Sequence, residues 1–232
     1  MAGSAAAFAR SLSMAGNTSK STKALRVRKE VKPTDLERTR CSWATGTSID
    51  PHYRRYHDEE WGVPVHEDRR LFEFIVLEGA QAGLSWRTVL GKREAYRRAF
   101  HDFDIAKVAA ISDACLEQLL GDPALIRNRL KIFSARNNAR AALEIIEDSG
   151  SLDAWLWSWV DGKPLLNYWS SPQEVPATSG VSDALSKALH KRGFRFVGST
   201  IMYAFMQATG MVNDHLVECF CHPRNHGENP RR

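Results

Sequence analysis

Residues 71–86 read LFEFIVLEGAQAGLSW, a nearly all-apolar run. Leu71, Phe74, Ile75, Glu78 and Ala82 recur at the spacing of one helical face, which predicts a helix turned toward the core. A carboxylate, Glu78, lies on that apolar face. An ionised carboxylate taken out of water is costly unless it finds partners. Either Glu78 reaches the helix edge or an arginine, or the helix lines a pocket and Glu78 is its polar contact. Asp68 is expected to cap this helix, with Glu67 and Asp68 favourable near its positive end. Gly83 is expected to end it, and Ser85 to begin another running to about Phe100.

The helical period continues on both sides. Downstream, Asp104 and Ser112 each suit a helix cap, and Pro123 is expected to open a long basic helix through IRNRLKIFSARNNARAALEII. Ser151 begins a helix carrying Trp155, Trp157 and Trp159, most simply core and cover residues. Residues 161–180, with Gly162, Pro164, Pro172, Pro176 and Gly180, read as a loop-rich excursion. Ser182 starts a helix that Gly193 stops, and Ser199 caps a second that Gly210 stops. Asn213 and Asp214 are expected to start a short terminal helix carrying His215 and Cys219. Upstream, CSWATGTSIDPHYRRYHDEEWGVP (residues 41–64) reads as a short helix with loops, rich in aromatics. Strand-like alternation is lacking, and there is no internal repeat. The expected fold is all-α, a compact bundle of about nine or ten short helices.

A chain of 232 residues, 43% hydrophobic and 25% charged, suits a soluble globular protein with a sizeable core. No apolar run is long enough to span a membrane, and no signal-peptide core is expected. Lys+Arg exceed Asp+Glu by 32 to 27, a modest excess compatible with nucleic acid but not diagnostic of it. Four cysteines, Cys41, Cys115, Cys219 and Cys221, are too few for a disulfide framework. They read as thiols or metal ligands in a reducing compartment. Residues 1–40 read as a disordered basic arm, either an extension or an organelle transit sequence. Residues 41–222 form the expected globular domain, and 223–232 a flexible tail.

Three groups of residues carry chemistry. His215 and Cys219, four apart, would share one helix face, and Cys41 and His57 form a second pair. Two cysteines and two histidines make a closed tetrahedral zinc set without an open position. The plainer alternative is a satisfied histidine beside a buried thiol. Cys221 competes with Cys219 as a ligand but would point away from His215. Second, LHKRGFRFVGST (residues 189–200), with its link bounded by Gly193 and Gly198, resembles a helix-hairpin-helix. Its backbone N–H groups, with Lys191, Arg192 and Arg195, would grip a DNA phosphate. An ordinary helix corner with a solvated basic face fits equally well. Third, Tyr53, Tyr56 and Trp86 flank His57 and Glu78 in sequence. Flat rings beside one carboxylate suit a cationic, nitrogen-rich ring, although aromatics also fill cores.

The blocks CSW, YHDEEWGVP, LFEFIVLEGAQAGLSW, FDIAKVAA, SDALSKALHKRGFRFVGSTIMYAFMQATG and VNDHLVEC together resemble the type I DNA-3-methyladenine glycosylases, a branch of the helix-hairpin-helix glycosylases. The resemblance runs from about Cys41 to Cys221. It implies a structural zinc on Cys41, His57, His215 and Cys219, a base-recognition glutamate at Glu78, and base contacts from Trp43, Tyr53, Tyr56 and Trp86. It implies excision of 3-methyladenine from double-stranded DNA by a monomer with no membrane partner. N3-alkylated adenine is a cation whose glycosidic bond is already weak, so recognition and positioning matter more than strong acid–base catalysis. Glu218 lies where relatives place an aspartate for water attack, but it sits between two metal ligands and takes no such role. Thr200 offers no amine for a Schiff base, so no strand cleavage is expected. The arm has no counterpart in the family core, leaving the compartment open: cytoplasm or nucleoid in a bacterium, nucleus or organelle in a eukaryote. Two other readings are a non-catalytic zinc-stapled DNA-binding module, which would release no base, and a zinc hydrolase, against which the closed ligand set argues.

Overall fold

The structure, a computed structural model, describes residues 38–46 and 49–225. The expected arm is therefore outside the described residues up to position 37, as is the tail from position 226. Arg40, at the end of that arm, belongs to the fold: it is buried, and its Nε donates to Asp58 Oδ1 at 2.9 Å.

Among the described residues the chain is mostly helical, with ten α-helices. They are α1 (Pro51–Glu59), α2 (Asp68–Gln81), α3 (Trp86–Leu90), α4 (Arg93–Ala99), α5 (Ile105–Ala109), α6 (Asp113–Leu119), α7 (Arg129–Ser149), α8 (Leu152–Trp157), α9 (Gly180–Lys191) and α10 (Ser199–Ala208). One minimal sheet accompanies them. Leu165–Leu166 (β1) pairs in parallel with Val212–Asn213 (β2). The two segments are too short to show alternation in sequence.

Helix α2 is the axis of the molecule, packed by α10, α7 and α8. Every residue from Leu71 to Ala80 is buried, so the helix is enclosed rather than laid on the core by one face. Leu71, Phe72, Phe74, Ile75 and Leu77 are each 0% exposed, and each such side chain contributes about 1.5–3 kcal/mol by leaving water. Close approach of the next layer depends on glycine. A Cβ on Gly79 would stand 3.0 Å from Cβ of Phe196 in the link between α9 and α10. At the end of α10, a Cβ on Gly210 would meet the backbone of Val63 and Pro64 at 2.4 Å.

Several boundaries differ from expectation, three of them because side-chain bonds outrank periodicity. Asp68 does not cap its own helix; its carboxylate accepts from Leu152 and Asp153 N–H and so caps α8. The helix after Ser85 breaks into α3 and α4 at Gly91 and Lys92. Asn128, not Pro123, caps α7 by accepting from Lys131 N–H. Ser179 begins α9 through a reciprocal capping box with Ser182. Gly198 rather than Ser199 occupies the cap position of α10.

The expected terminal helix over 213–219 does not form. Asn213 is paired in β2, the Asp214 carboxylate is drawn inward, and Val217 N–H donates to Trp169 O at 2.9 Å. Long-range partners thus take the groups that an i to i+4 ladder would need.

Candidate active site

Helix α2 carries two buried glutamates with opposite circumstances. Glu73, 2% exposed, accepts from Arg93 at 2.7 Å, Arg97 at 2.8 Å and Arg70 at 2.7 Å. Although burial works against its charge, these guanidinium groups hold its carboxyl below the usual range. Glu78, 4% exposed, has no hydrogen-bond or ion-pair partner among the described residues. Burial alone pushes its carboxyl up to about 8. The apolar face thus delivers an unpartnered carboxylate, and the alternative of an arginine partner applies instead to Glu73.

Glu78 opens into a cavity of about 230 Å³. Tyr53 and Tyr56 of α1, Trp86 at the start of α3, and Trp43 wall it, so all four expected aromatics converge there. Tyr56 and Trp86 have ring centroids 5.3 Å apart. The phenol of Tyr56 is pushed well above its ordinary value, first by burial and then by Glu78. Trp61, Gln81, Ala204 and Gln207 complete the lining and were not legible from sequence. The C-terminal end of α2 is held from behind by α7: Lys131 Nζ donates to the carbonyls of Ala80 and Ala82, at 2.9 and 2.5 Å.

Asp214 is a further residue that sequence reading missed. Its Oδ1 accepts from Asn167 and Trp169, and its Oδ2 from Tyr203 and Gln207, all within 2.7–2.8 Å. Four donors saturate this carboxylate, and it engages the amide nitrogen of Gln207, a lining residue of Glu78's cavity. An acidic residue beside a histidine in sequence gives no sign of such a network.

Behind the aromatic wall, Cys41, His57, His215 and Cys219 bring four ligand atoms within 4.8 Å of one another, all buried. Cys219 Sγ lies 3.5 Å from both His57 Nε2 and His215 Nδ1, and Cys41 Sγ lies 3.6 Å from His215 Nδ1. A tetrahedral ion with bonds of about 2.0–2.3 Å has edges of about 3.3–3.8 Å, so the residues fit one. The outer ring nitrogens are oriented as metal-binding imidazoles require: His57 Nδ1 reaches Asp58 at 2.8 Å, and His215 Nε2 reaches Trp61 O at 2.9 Å. The neighbouring thiol of Cys221, with Cys41 and both imidazoles, pulls the Cys219 thiol below its ordinary value, while Cys219 and burial push Cys41 up. Cys221 is closer to the group than its spacing suggested; its sulfur, with His57 and Asp58, forms an overlapping set. Trp43 and Trp61 pack edge-on against His57 and His215 at 4.9 and 4.6 Å, so the cluster and the cavity share a wall.

The link from 192 to 198 joins α9 to α10 beside this cavity. Gly193 takes a φ of +87°, as a helix-ending glycine does. Buried Asn138 clasps the link by bonding both the N–H and the carbonyl of Arg195. Gly198 offers no side-chain cap to the backbone N–H groups of the first turn of α10, where the Ser199 hydroxyl donates to the Asp183 carboxylate. Lys191 and Arg195 are exposed. Arg192 is engaged elsewhere, bonded to Asp148 at 2.8 Å and lying over Trp155.

The methyladenine glycosylase family model matches residues 43–222. DNA-3-methyladenine glycosylase 1 of Escherichia coli is 51% identical over 186 residues, covering 80% of this chain and 98% of that protein. A crystal structure of 3-methyladenine DNA glycosylase I superposes with a TM-score of 0.76 at 52% identity, covering 80% of this chain and all of the other. The Staphylococcus aureus enzyme, in a structure concerned with 3-methyladenine recognition, matches with a TM-score of 0.74 at 35% identity over 78% of this chain and 95% of its own.

Proposed function

The chain belongs to the methyladenine glycosylase family, and from that membership we infer that it is a base-excision repair enzyme that releases 3-methyladenine from alkylated DNA. Water adds at C1′, the lesion leaves as the neutral free base, one proton is released, and an abasic site remains in an unbroken strand. The observation that carries this reading is Glu78, a buried carboxylate without a partner in an aromatic cavity.

The chemistry follows from charge. With its carboxyl raised to about 8, Glu78 is largely a neutral acid at pH 7 in the empty cavity. A cationic base entering the site favours the carboxylate, which then accepts from the exocyclic amine. A neutral adenine offers no such compensation. Tyr56 and Trp86 stack on the flipped base, and Tyr53 and Trp43 close the site against water. Glu78 is thus assigned the catalytic role and the four aromatics the base-binding one.

We assign the element α9–link–α10 as a helix-hairpin-helix. The α10 N-terminus, Gly193, Gly198, Lys191 and Arg195 would meet the DNA backbone. Arg192, paired with Asp148 at the surface, braces the corner against α7. Thr200 supplies no amine, in keeping with hydrolysis alone. Cys41, His57, His215 and Cys219 would hold one structural zinc; as a closed four-ligand site it would organise the wall and leave the reaction to the cavity. The experiment that tests the function is base release from methylated duplex DNA, with products resolved by chromatography. Free 3-methyladenine is expected. Retention of the DNA without released base would leave only a DNA-binding module.

A further inference from the structure

Tyr53 borders two cavities: the base pocket and a second space of about 470 Å³. Five arginines line the second, Arg55, Arg70, Arg87, Arg93 and Arg97. Three are committed within the fold. Glu73 binds Arg70, Arg93 and Arg97, Glu60 adds contacts to Arg70 and Arg93, and Glu94 adds one to Arg97. Arg55 on α1 and Arg87 on α3 are exposed and have no carboxylate in ion-pair range among the described residues. Asp50 is the remaining acid of this cavity, and its Oδ1 accepts from the backbone N–H of His52. Neighbouring Arg54 donates to the Gly46 carbonyl, and it too has no carboxylate in ion-pair range among the described residues.

Arg87 has a definite pose. Its guanidinium carbon lies 5.2 Å from the centroid of the Tyr53 ring. A guanidinium held over an aromatic face keeps N–H groups that can bind a phosphate with two prongs. The base pocket has α10 on one wall, through Ala204 and Gln207, and α1 and α3 on another, through Tyr53, Tyr56 and Trp86. The hairpin serves the first wall. The second has Arg87 and Arg55 beside it.

We propose that Arg87 and Arg55 form a phosphodiester-binding site for the DNA strand at the α1–α3 wall of the base pocket. Together with the hairpin it would hold the backbone on two sides of the flipped nucleotide. The proposal rests on the glycosylase reading and adds a contact which that reading does not require.

The test is binding of the full chain to a duplex containing a tetrahydrofuran abasic-site analogue, followed by fluorescence anisotropy across a salt series. For Arg55→Ala/Arg87→Ala, loss of one phosphate contact should flatten the slope of log K against log salt by about 0.9. Binding to undamaged duplex should weaken in parallel, because a phosphate carries no sequence information. Arg98→Ala/Arg140→Ala removes the same charge from exposed positions that line neither cavity and should leave the slope unchanged. An unchanged slope in the first variant, or an equal flattening in both, would overturn the site. Base release by the unmodified protein separates the two failures. If 3-methyladenine is released and the slope stays, the second grip is wrong and the enzyme reading stands; if none is released, the enzyme reading itself fails.

Discussion

Glu73 and Glu78 show how far identity and spacing determine chemistry. Both sit on one helix and both are buried, yet one is held by three arginines and the other by none. Glu78 drew attention by its place on the apolar face. That it lacks a partner was not legible: Arg70 stands three residues before Glu73, but Arg93 and Arg97 lie 20 and 24 residues on in α4, and their spacing does not tell which carboxylate they answer. The two predict opposite stability effects. Above the ordinary carboxylate range and up to about pH 8, the folded state holds a proton on Glu78 that the unfolded chain has lost, so native stability falls as pH rises through that window. Glu78→Gln should therefore stabilise the protein, by little at pH 4 and on the order of a few kcal/mol at pH 8. Urea unfolding at the two pH values measures this, and a pH-independent difference would refute it. Glu73 has the reverse sign: its lowered carboxyl stabilises above the ordinary range, and that contribution is lost as the solution is acidified. Glu73→Gln should cost about 3 kcal/mol, since it leaves buried guanidinium charge unanswered.

Helices were legible wherever a long apolar period coincided with a polar cap. The enclosed α2, the long α7 and the α9–α10 pair are present as expected, and their ends moved by a few residues where Asn128, Ser179 and Gly198 took the cap positions. The segment 213–219 failed as a helix because Asp214 and Val217 bond across the fold, information that lies in residues 167–169 and 203–207 rather than locally. The glycines between elements are also unequal. Gly210, at φ +69°, has backbone 2.4 Å from a would-be Cβ, whereas Gly83, at φ +73°, has nothing within 4 Å. Gly83→Ala should cost about 1 kcal/mol from backbone conformation alone. Gly210→Ala must also separate α10 from residues 63–64 and should lower the thermal midpoint several times further. Equal shifts in thermal unfolding would contradict this account of the α10 contact.

Across the whole molecule, the two ends of the folded region meet at Cys41, His57, His215 and Cys219. The two-Cys, two-His composition suggested the set, although the shared helix face first invoked for His215 and Cys219 does not exist; turns bring them together instead. Metal analysis of protein never exposed to chelator should find about one zinc per chain, and chelation should lower the thermal midpoint in a zinc-reversible way. Absence of metal would remove the staple. Gly62 N–H to Gln207 O and Val65 N–H to Thr209 O also join the two ends, so the metal-free chain should keep its helical signal near room temperature while the wall formed by Trp43 and Trp61 loosens. Glu78 faces the cavity beside that wall. Single-turnover release of 3-methyladenine from methylated duplex, compared between the unmodified protein and folded Glu78→Gln, tests its catalytic role most directly. The predicted result is rapid release by the former and a loss of at least 100-fold, about 2.7 kcal/mol, in the latter; comparable rates would contradict it.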